Sequence, residues 1–284
     1  MCGLVNLGNT CYMNAVLQCL RLVVSHCELL QRYSTWLNRK EENNLENEFW
    51  HLMNQMSSST RGAPISPQRF KTVLANGHNQ FRSRQQEDAH ELLMVMLDKV
   101  GQLESISSGL LVSEVECSLC HQITQTMENF SCLSVDIPSR TSIAAPVNLA
   151  DCLRAFMIEK PDDKWSCSEC GGITAQKNSR IVTSPRILML HLKRFLLTET
   201  GYQKNEALVR LPEVLEVGDD QYWIVAKVNH IGCSMSSGHY TAEINAGKWK
   251  CIDDRRVVEM GRMKEFSKEA YLVFCEKKEG DARV

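Results

Sequence analysis

No stretch of this 284-residue chain approaches the eighteen or so apolar residues that a membrane-spanning helix needs. Met1-Cys2-Gly3 leads directly into a patterned segment, without the charged and then apolar run of a signal peptide. An excess of basic charge is also missing. The 32 Lys and Arg are outnumbered by 34 Asp and Glu, for a formal net charge of −2. That removes the field expected of a protein built for nucleic acid or an anionic membrane surface. There is no low-complexity run and no internal repeat beyond one paired motif. What remains is ordinary globular composition, 43% hydrophobic and 23% charged, enough for a sizeable core in one large domain or two smaller ones. The residue in surplus is cysteine, with 13 copies. In a chain this long without a secretion signal, metal or catalytic use fits better than a disulfide framework, and a reducing cytosolic or nuclear compartment is expected.

The most informative cysteine is Cys11, in Asn6-Leu7-Gly8-Asn9-Thr10-Cys11-Tyr12-Met13-Asn14. Apolar residues recur at Met13, Val16, Leu17, Leu20 and Val24, the spacing of a helix with one buried stripe. Asn9 or Thr10 is the natural N-cap, which puts Cys11 in the first turn among unpaired backbone N–H groups. The helix dipole there favours a thiolate, the nucleophilic form. A buried core cysteine satisfies the same pattern.

Far downstream, Ser236-Ser237-Gly238-His239-Tyr240-Thr241-Ala242-Glu243-Ile244 alternates like a strand, and Lys248 to Asp253 runs back after a turn at Asn245-Ala246-Gly247. With the hairpin centred on Ala246, His239 and Asp253 face each other directly, with Cβ atoms about 5 Å apart. A carboxylate at that reach accepts an imidazole N–H and fixes the tautomer. An exposed His/Asp pair at a strand end is the plain alternative. The order Cys, then His, then Asp is that of papain-like thiol hydrolases.

Two C-x-x-C pairs, Cys117/Cys120 and Cys167/Cys170, offer four thiolates, enough for a closed tetrahedral zinc site. The 46 residues between Cys120 and Cys167 suggest separate hairpins brought together in space. Redox C-x-x-C motifs occur singly at helix starts, so structural zinc is preferred. Four thiolates leave no position for a reacting water, which excludes a catalytic metal there.

In the middle, Gln85-Gln86-Glu87-Asp88-Ala89-His90-Glu91 enters a second helix whose buried stripe is Ala89, Leu92, Leu93, Met96, Leu97 and Val100. Acidic residues at a helix start complement its dipole, or serve as a docking point for a basic segment. Ile187 to Phe195 reads as a central strand with a basic end. Further strands are expected at Tyr222 to Asn229 and Tyr271 to Cys275, with loops at Ser57 to Pro67 and Ser139 to Pro146. Helices in the first hundred residues and strands in the rest argue an α+β fold.

Together these blocks resemble the ubiquitin-specific protease family of cysteine deubiquitinases. Gly3 to Asn14 resembles its cysteine box, Gln86 to Glu91 its glutamine–aspartate motif, Leu192-Lys193-Arg194-Phe195 the strand before its histidine region, and Gly238-His239-Tyr240 through Trp249 to Asp253-Asp254 its histidine box. The resemblance covers Gly3 to about Glu276. It implies one papain-like catalytic domain over residues 1–284, with a helical thumb to about residue 104, then a palm and short zinc-bearing fingers. It implies Cys11 as nucleophile, His239 as base and acid, Asp253 as its orienter, Asn6 as oxyanion donor and Asp254 as an aid at the oxyanion or the base. The implied reaction is hydrolysis after the C-terminal glycine of ubiquitin through an acyl-enzyme. Asp88 and Glu91 become partners for basic residues near the ubiquitin tail, and His230 and Tyr240 line its channel. One structural zinc ion on the four cysteines and no catalytic cofactor are implied. Ubiquitin and ubiquitinated proteins are the partners, with no nucleic acid and no membrane, and nothing demands more than a monomer.

The chain departs from the family pattern at Ala15, at Lys250-Cys251-Ile252, and in the 16 residues between Val100 and Cys117, which imply short fingers. The chain begins almost at the cysteine box, so recruitment to targets is expected through surface features or sequence outside it. Two other functions compete: a weakly active ubiquitin-binding scaffold, and an isopeptidase for another ubiquitin-like modifier.

Overall fold

A computed structural model describes residues 1–29, 44–59, 62–138, 145–158, 165–198, 201–234 and 237–279. Most of the loop expected at Ser139 to Pro146, and Ser236 of the expected strand, lie outside the described residues. The helices are α1 (Cys11–His26), α2 (Leu45–Ser58), α3 (Gln68–Gly77), α4 (Ala89–Lys99), α5 (Gly101–Ser107) and α6 (Leu149–Met157). The first strands are β1 (Gly109–Cys117), β2 (Ile123–Phe130), β3 (Leu133–Asp136), β4 (Val147–Asn148), β5 (Ala175–Thr183), β6 (Ile187–Lys193), β7 (Phe195–Thr198) and β8 (Gly201–Lys204). They are followed by β9 (Val209–Arg210), β10 (Val214–Val217), β11 (Asp220–Ser234), β12 (Ser237–Asn245), β13 (Trp249–Asp253), β14 (Arg256–Glu259), β15 (Phe266–Ser267) and β16 (Ala270–Lys277). No helix among the described residues is long and apolar enough to cross a membrane.

The α+β expectation holds, with the helices running three residues past the expected boundary at 104. One helix, α6, lies outside the helical first part and among the strands. At α6, Leu149, Cys152 and Leu153 turn inward at i, i+3 and i+4, a pattern too short to stand out among strands.

The palm is a sheet in the order β14-β13-β12-β11-β16-β6-β3, with β10 added on β11. Its pairings are antiparallel except for β3 with β6. One apolar cluster lies between the thumb helices and one palm face, with α1, α2, α4 and residues of β11, β12 and β16. A second covers the other face, with α6, β3, β6 and β10. The sheet is therefore buried on both sides, which is why β6 reads as a continuous apolar run.

Helix α1 is the central thumb element. Met13, Val16, Leu17, Leu20 and Val24 are buried as expected, but so are Cys11, Tyr12, Asn14, Ala15, Gln18, Cys19, Leu22 and Val23. The single stripe is thus corrected to burial nearly all round, because α1 is packed against β12, β11, β13 and α4 at once. The α4 stripe is as expected, with Ala89, Leu92, Leu93, Met96, Leu97 and Val100 all buried.

Arg194, just past β6, is fully buried. Its guanidinium donates to the carbonyls of Ala270 (2.6 Å), Asn205 (2.9 Å), Ala207 (3.1 Å) and Ser267 (3.1 Å). These charge-assisted bonds fasten the chain after the β7–β8 hairpin to the start of β16. The fingers are the separate sheet β2-β1-β5.

Candidate active site and thiol cluster

Cys11 is the first residue of α1. Thr10 occupies the N-cap position, but its side chain does not cap the helix. Instead its hydroxyl accepts from the Leu7 N–H and closes a tight turn at Gly8 and Asn9, both at positive φ. The thiol lies against the palm and is 3% exposed. Burial raises it above the ordinary thiol range, and the charge of Asp254 adds to that rise. Backbone N–H groups of Tyr240, Tyr12 and Cys11 pull the other way. The expectation that the helix start favours a thiolate is therefore corrected: those donors are present, but desolvation outweighs them.

The histidine hairpin needs a second correction. Its register pairs Ala242 with Ile252, Glu243 with Cys251 and Asn245 with Trp249. The turn is centred on Gly247, at φ +81°, not on Ala246. His239 and Asp253 are thus diagonal neighbours rather than directly opposed. A shift of two residues preserves the face, and the side chains span the extra distance. His239 Nε2 and Asp253 Oδ1 are 2.7 Å apart. With Nε2–H donating to Asp253, Nδ1 is left as the basic ring nitrogen. The pair is partly open, with side chains 38% and 48% exposed.

Asn6 and Asp254 meet beside the thiol. Asn6 Oδ1 accepts from the Gly8 N–H (3.0 Å) and the Thr10 N–H (3.1 Å), which fixes which end of the amide is nitrogen. Nδ2 donates to Asp254 Oδ2 at 2.8 Å. The other carboxylate oxygen accepts from Asn14 Nδ2 at 2.7 Å. Asp254 sits at φ +49°, and its carbonyl accepts from the Leu4 N–H at 2.8 Å. A Cβ at Gly3 would run into the carbonyls of Arg255 and Asp254, so only glycine lets the N-terminal segment lie this close.

Asp88 caps α4, accepting from the His90 and Glu91 N–H groups, and its second oxygen accepts from Tyr271 Oη. Both oxygens are thus engaged within the protein. Glu91 is largely exposed, and partial desolvation of its carboxylate, with the charges of Asp88 and Glu87, raises its pKa above the ordinary carboxylate range. His230 and Tyr240 are 0% and 1% exposed, so their placement as channel-lining side chains is corrected. Tyr240 points into the core from β12, and His230 packs beneath it against Phe195.

Two residues given no role by sequence reasoning touch this site. Asn14 holds Asp254. Gln86 spans the cleft, with Nε2 at 3.9 Å from Cys11 Sγ and Oε1 accepting from the Gly238 N–H at 2.8 Å. Both contacts join residues far apart in the chain, and only the recurrence of Gln86 in a recognised motif hinted at one of them.

At the finger end, the ligand atoms of Cys117, Cys120, Cys167 and Cys170 lie within 4.8 Å of one another. Cys117 Sγ is 3.6 Å from Cys170 Sγ, as is Cys120 Sγ from Cys167 Sγ. The two knuckles fold alike. Each first cysteine carbonyl accepts from the residue after the second cysteine, His121 or Gly171, and both of these have positive φ. Backbone N–H groups of Cys120 and Leu119 hold the Cys117 thiol down to about 6. The knuckles come together in space as expected, and the first is the β1–β2 hairpin turn; the second is corrected from a hairpin to a turn that leads into β5, which pairs with β1 in the same sheet. Four convergent thiols form the donor set of a closed tetrahedral zinc site.

The family model for ubiquitin carboxyl-terminal hydrolase matches residues 2–274. The chain belongs to the ubiquitin carboxyl-terminal hydrolase family. It is 29% identical to ubiquitin carboxyl-terminal hydrolase 4 of Arabidopsis thaliana, over 90% of this chain and 84% of that one. Against ubiquitin carboxyl-terminal hydrolase 12 of Salmo salar it is 30% identical, over 90% of this chain and 81% of that one. It spans only 38% of the probable ubiquitin carboxyl-terminal hydrolase 9 of Schizosaccharomyces pombe, so members of this hydrolase family differ widely in length. The fold matches that of the Ubp8 SAGA DUB module bound to monoubiquitin, with a TM-score of 0.81 at 23% identity, over 98% of this chain and 69% of that one. A ubiquitin aldehyde complex of the same module gives 0.79, over 98% and 70%. Thumb, palm and fingers are therefore the architecture of this hydrolase family in this chain.

Proposed function

We propose that this chain is a thiol-dependent deubiquitinase that cleaves the bond after the C-terminal glycine of ubiquitin. The observation that carries the reading is the convergence of three separate elements. The first residue of α1 is a cysteine, β12 and β13 bring a hydrogen-bonded His239–Asp253 pair, and Asn6 with Asp254 flanks the thiol. His239 Nδ1 takes the proton from Cys11 Sγ, and Asp253 stabilises the imidazolium through Nε2. The thiolate adds to the glycine carbonyl, and the oxyanion develops beside the second N–H of Asn6 and the backbone N–H groups at the start of α1. Collapse expels the amine, which takes the proton from His239 and leaves an acyl-enzyme. Water then attacks with His239 as base and releases ubiquitin and free Cys11.

Cys117, Cys120, Cys167 and Cys170 would hold one zinc ion, which when bound cross-links the two knuckles and leaves no open position for water. The exposed acidic start of α4, around Glu91, suits a basic tail, and the dependence on free thiols suits a reducing compartment. The buried thiol favours a second reading, a ubiquitin-binding module of low turnover.

Intact mass after mixing with ubiquitin carrying a C-terminal electrophile tests the choice. A one-to-one adduct absent from Cys11→Ala is expected. Absence of the adduct from folded protein supports the second reading, and preferential labelling by another modifier bearing the same electrophile would redirect the substrate.

A further inference from the structure

We propose that Gln86 is a positioning residue that joins the two halves of the site, its amide N–H on Cys11 Sγ and its amide oxygen on the Gly238 N–H. The inference rests on the proposed function for its effect on turnover, but not for the geometry. The two ends of the amide are assigned by the network itself. The Gly238 N–H is a donor only, so the group 2.8 Å from it is the carbonyl, and the nitrogen necessarily faces the sulfur. At 3.9 Å the contact to a neutral thiol is weak, and it strengthens when the sulfur becomes an anion.

Gln86 is well placed to transmit position, because its segment is tied at several points. Asn9, two residues before the nucleophile, donates from Nδ2 to the Arg84 carbonyl at 2.8 Å. Ser83 Oγ donates to Glu87 Oε1 at 2.8 Å, and Asp88 both caps α4 and accepts from Tyr271. On the palm side, Gly238 immediately precedes His239. Its Cα is packed so closely on the His230 ring and the Ile231 carbonyl that no side chain fits. Gly238 is thus held against β11, and the amide of Gln86 spans from its N–H to the thiol. A single side chain from a third element thus sets the separation of the helix bearing the nucleophile from the strand bearing the base. It also adds a side-chain donor to the backbone N–H groups that favour the anion, against burial and the Asp254 charge, which oppose it.

Two substitutions separate this role from simple packing. Gln86→Met keeps the length of the side chain and removes both hydrogen bonds. Gln86→Glu keeps the acceptor for Gly238 and replaces the donor with negative charge. The readouts are kcat and KM on a fluorogenic ubiquitin substrate, and the pH dependence of Cys11 alkylation by iodoacetamide, followed by peptide mass. For Gln86→Met, kcat is expected to fall about tenfold, the loss for one hydrogen bond to a charged group, with KM within about twofold of the parent. Its alkylation midpoint should rise by about half a pH unit, and that of Gln86→Glu should rise further. Because the Glu variant retains the Gly238 bond, it carries the test if the Met variant does not fold. An unmoved alkylation profile in the folded variants overturns the proposal, as does a loss confined to KM. If the parent cleaves no ubiquitin substrate, the deubiquitinase reading falls, and the alkylation profiles still decide the role of Gln86.

Discussion

Asp254 stands beside the nucleophile and opposes its ionisation, so its value to the site must lie elsewhere. Its two carboxylate oxygens accept from Asn6 at 2.8 Å and Asn14 at 2.7 Å, and that clamp aims the Asn6 amide. In the proposed reaction the charge is offset because it fixes a donor where the oxyanion would form, and aligned donors are among the largest contributors to such reactions. Two variants separate the contributions. Asn6→Ala is expected to lower kcat by about 100-fold or more with KM little changed, as measured by steady-state kinetics. Asp254→Asn should move two observables in opposite directions. Removing the charge lowers the pH at which Cys11 is alkylated, while kcat falls about tenfold because the amide clamp loosens. A gain in both reactivity and kcat would show that Asp254 serves only to restrain the thiol.

At the scale of elements, the knuckle sheet and the histidine hairpin differ in how much of them could be read in advance. The four cysteines were legible because two C-x-x-C pairs have few other uses, and the α4 stripe because its period is long enough to register. The hairpin was legible in parity but not in register: placing the turn on Ala246 rather than Gly247 displaced every pair by two, which conserves the face and so the His239–Asp253 contact. Burial of α1 on nearly every side was hidden, since its polar residues Asn14 and Gln18 look solvent-facing until Asp254 and the Cys2 carbonyl are found as their partners. Gln86 was hidden for the same reason, its acceptor contact lying 152 residues away. The knuckles also carry a prediction. Cys117→Ser, or a strong chelator, should strip about one zinc ion per chain by elemental analysis and lower the melting temperature of the finger sheet. Affinity for ubiquitin should fall while the alkylation profile of Cys11 stays put, because the cluster and the site share no side chain. Unchanged metal content and melting would remove the zinc assignment.

At the scale of the whole molecule, thumb and palm meet over a seam of rings that pack well only when uncharged. His90 of α4 stacks on His191 of β6, with centroids 3.9 Å apart and planes 13° from parallel. His191 meets the edge of Tyr271, and His230 meets Phe195 and Tyr240. Burial, with His90 and Lys193 nearby, holds His191 down to about 3. Burial and the Lys204 ammonium hold His230 down to about 4. Both rings therefore stay neutral in the native protein at pH values where the unfolded chain, titrating near 6.5, binds a proton. The unfolded state binds more protons throughout that window, so stability rises with pH inside it and is lost as pH falls from about 6.5 toward 4. Each ring contributes a slope of up to about 1.4 kcal/mol per pH unit. Urea midpoints should thus be nearly level from pH 7 to 8 and decline below 6.5, ahead of the range where carboxylates titrate. His191→Phe keeps a ring against His90 and Tyr271 but cannot be protonated, so its decline between pH 6.5 and 5 should be shallower by about one proton's worth. Equal slopes in variant and parent would remove His191 from the acid response. Because Tyr271 in this seam also donates to Asp88, and Asp88 caps the helix that follows Gln86, loosening the seam in acid should release the active-site segment before the fingers. Hydrogen exchange at pH 5 would register this as earlier loss of protection at residues 83–90 than at 109–117.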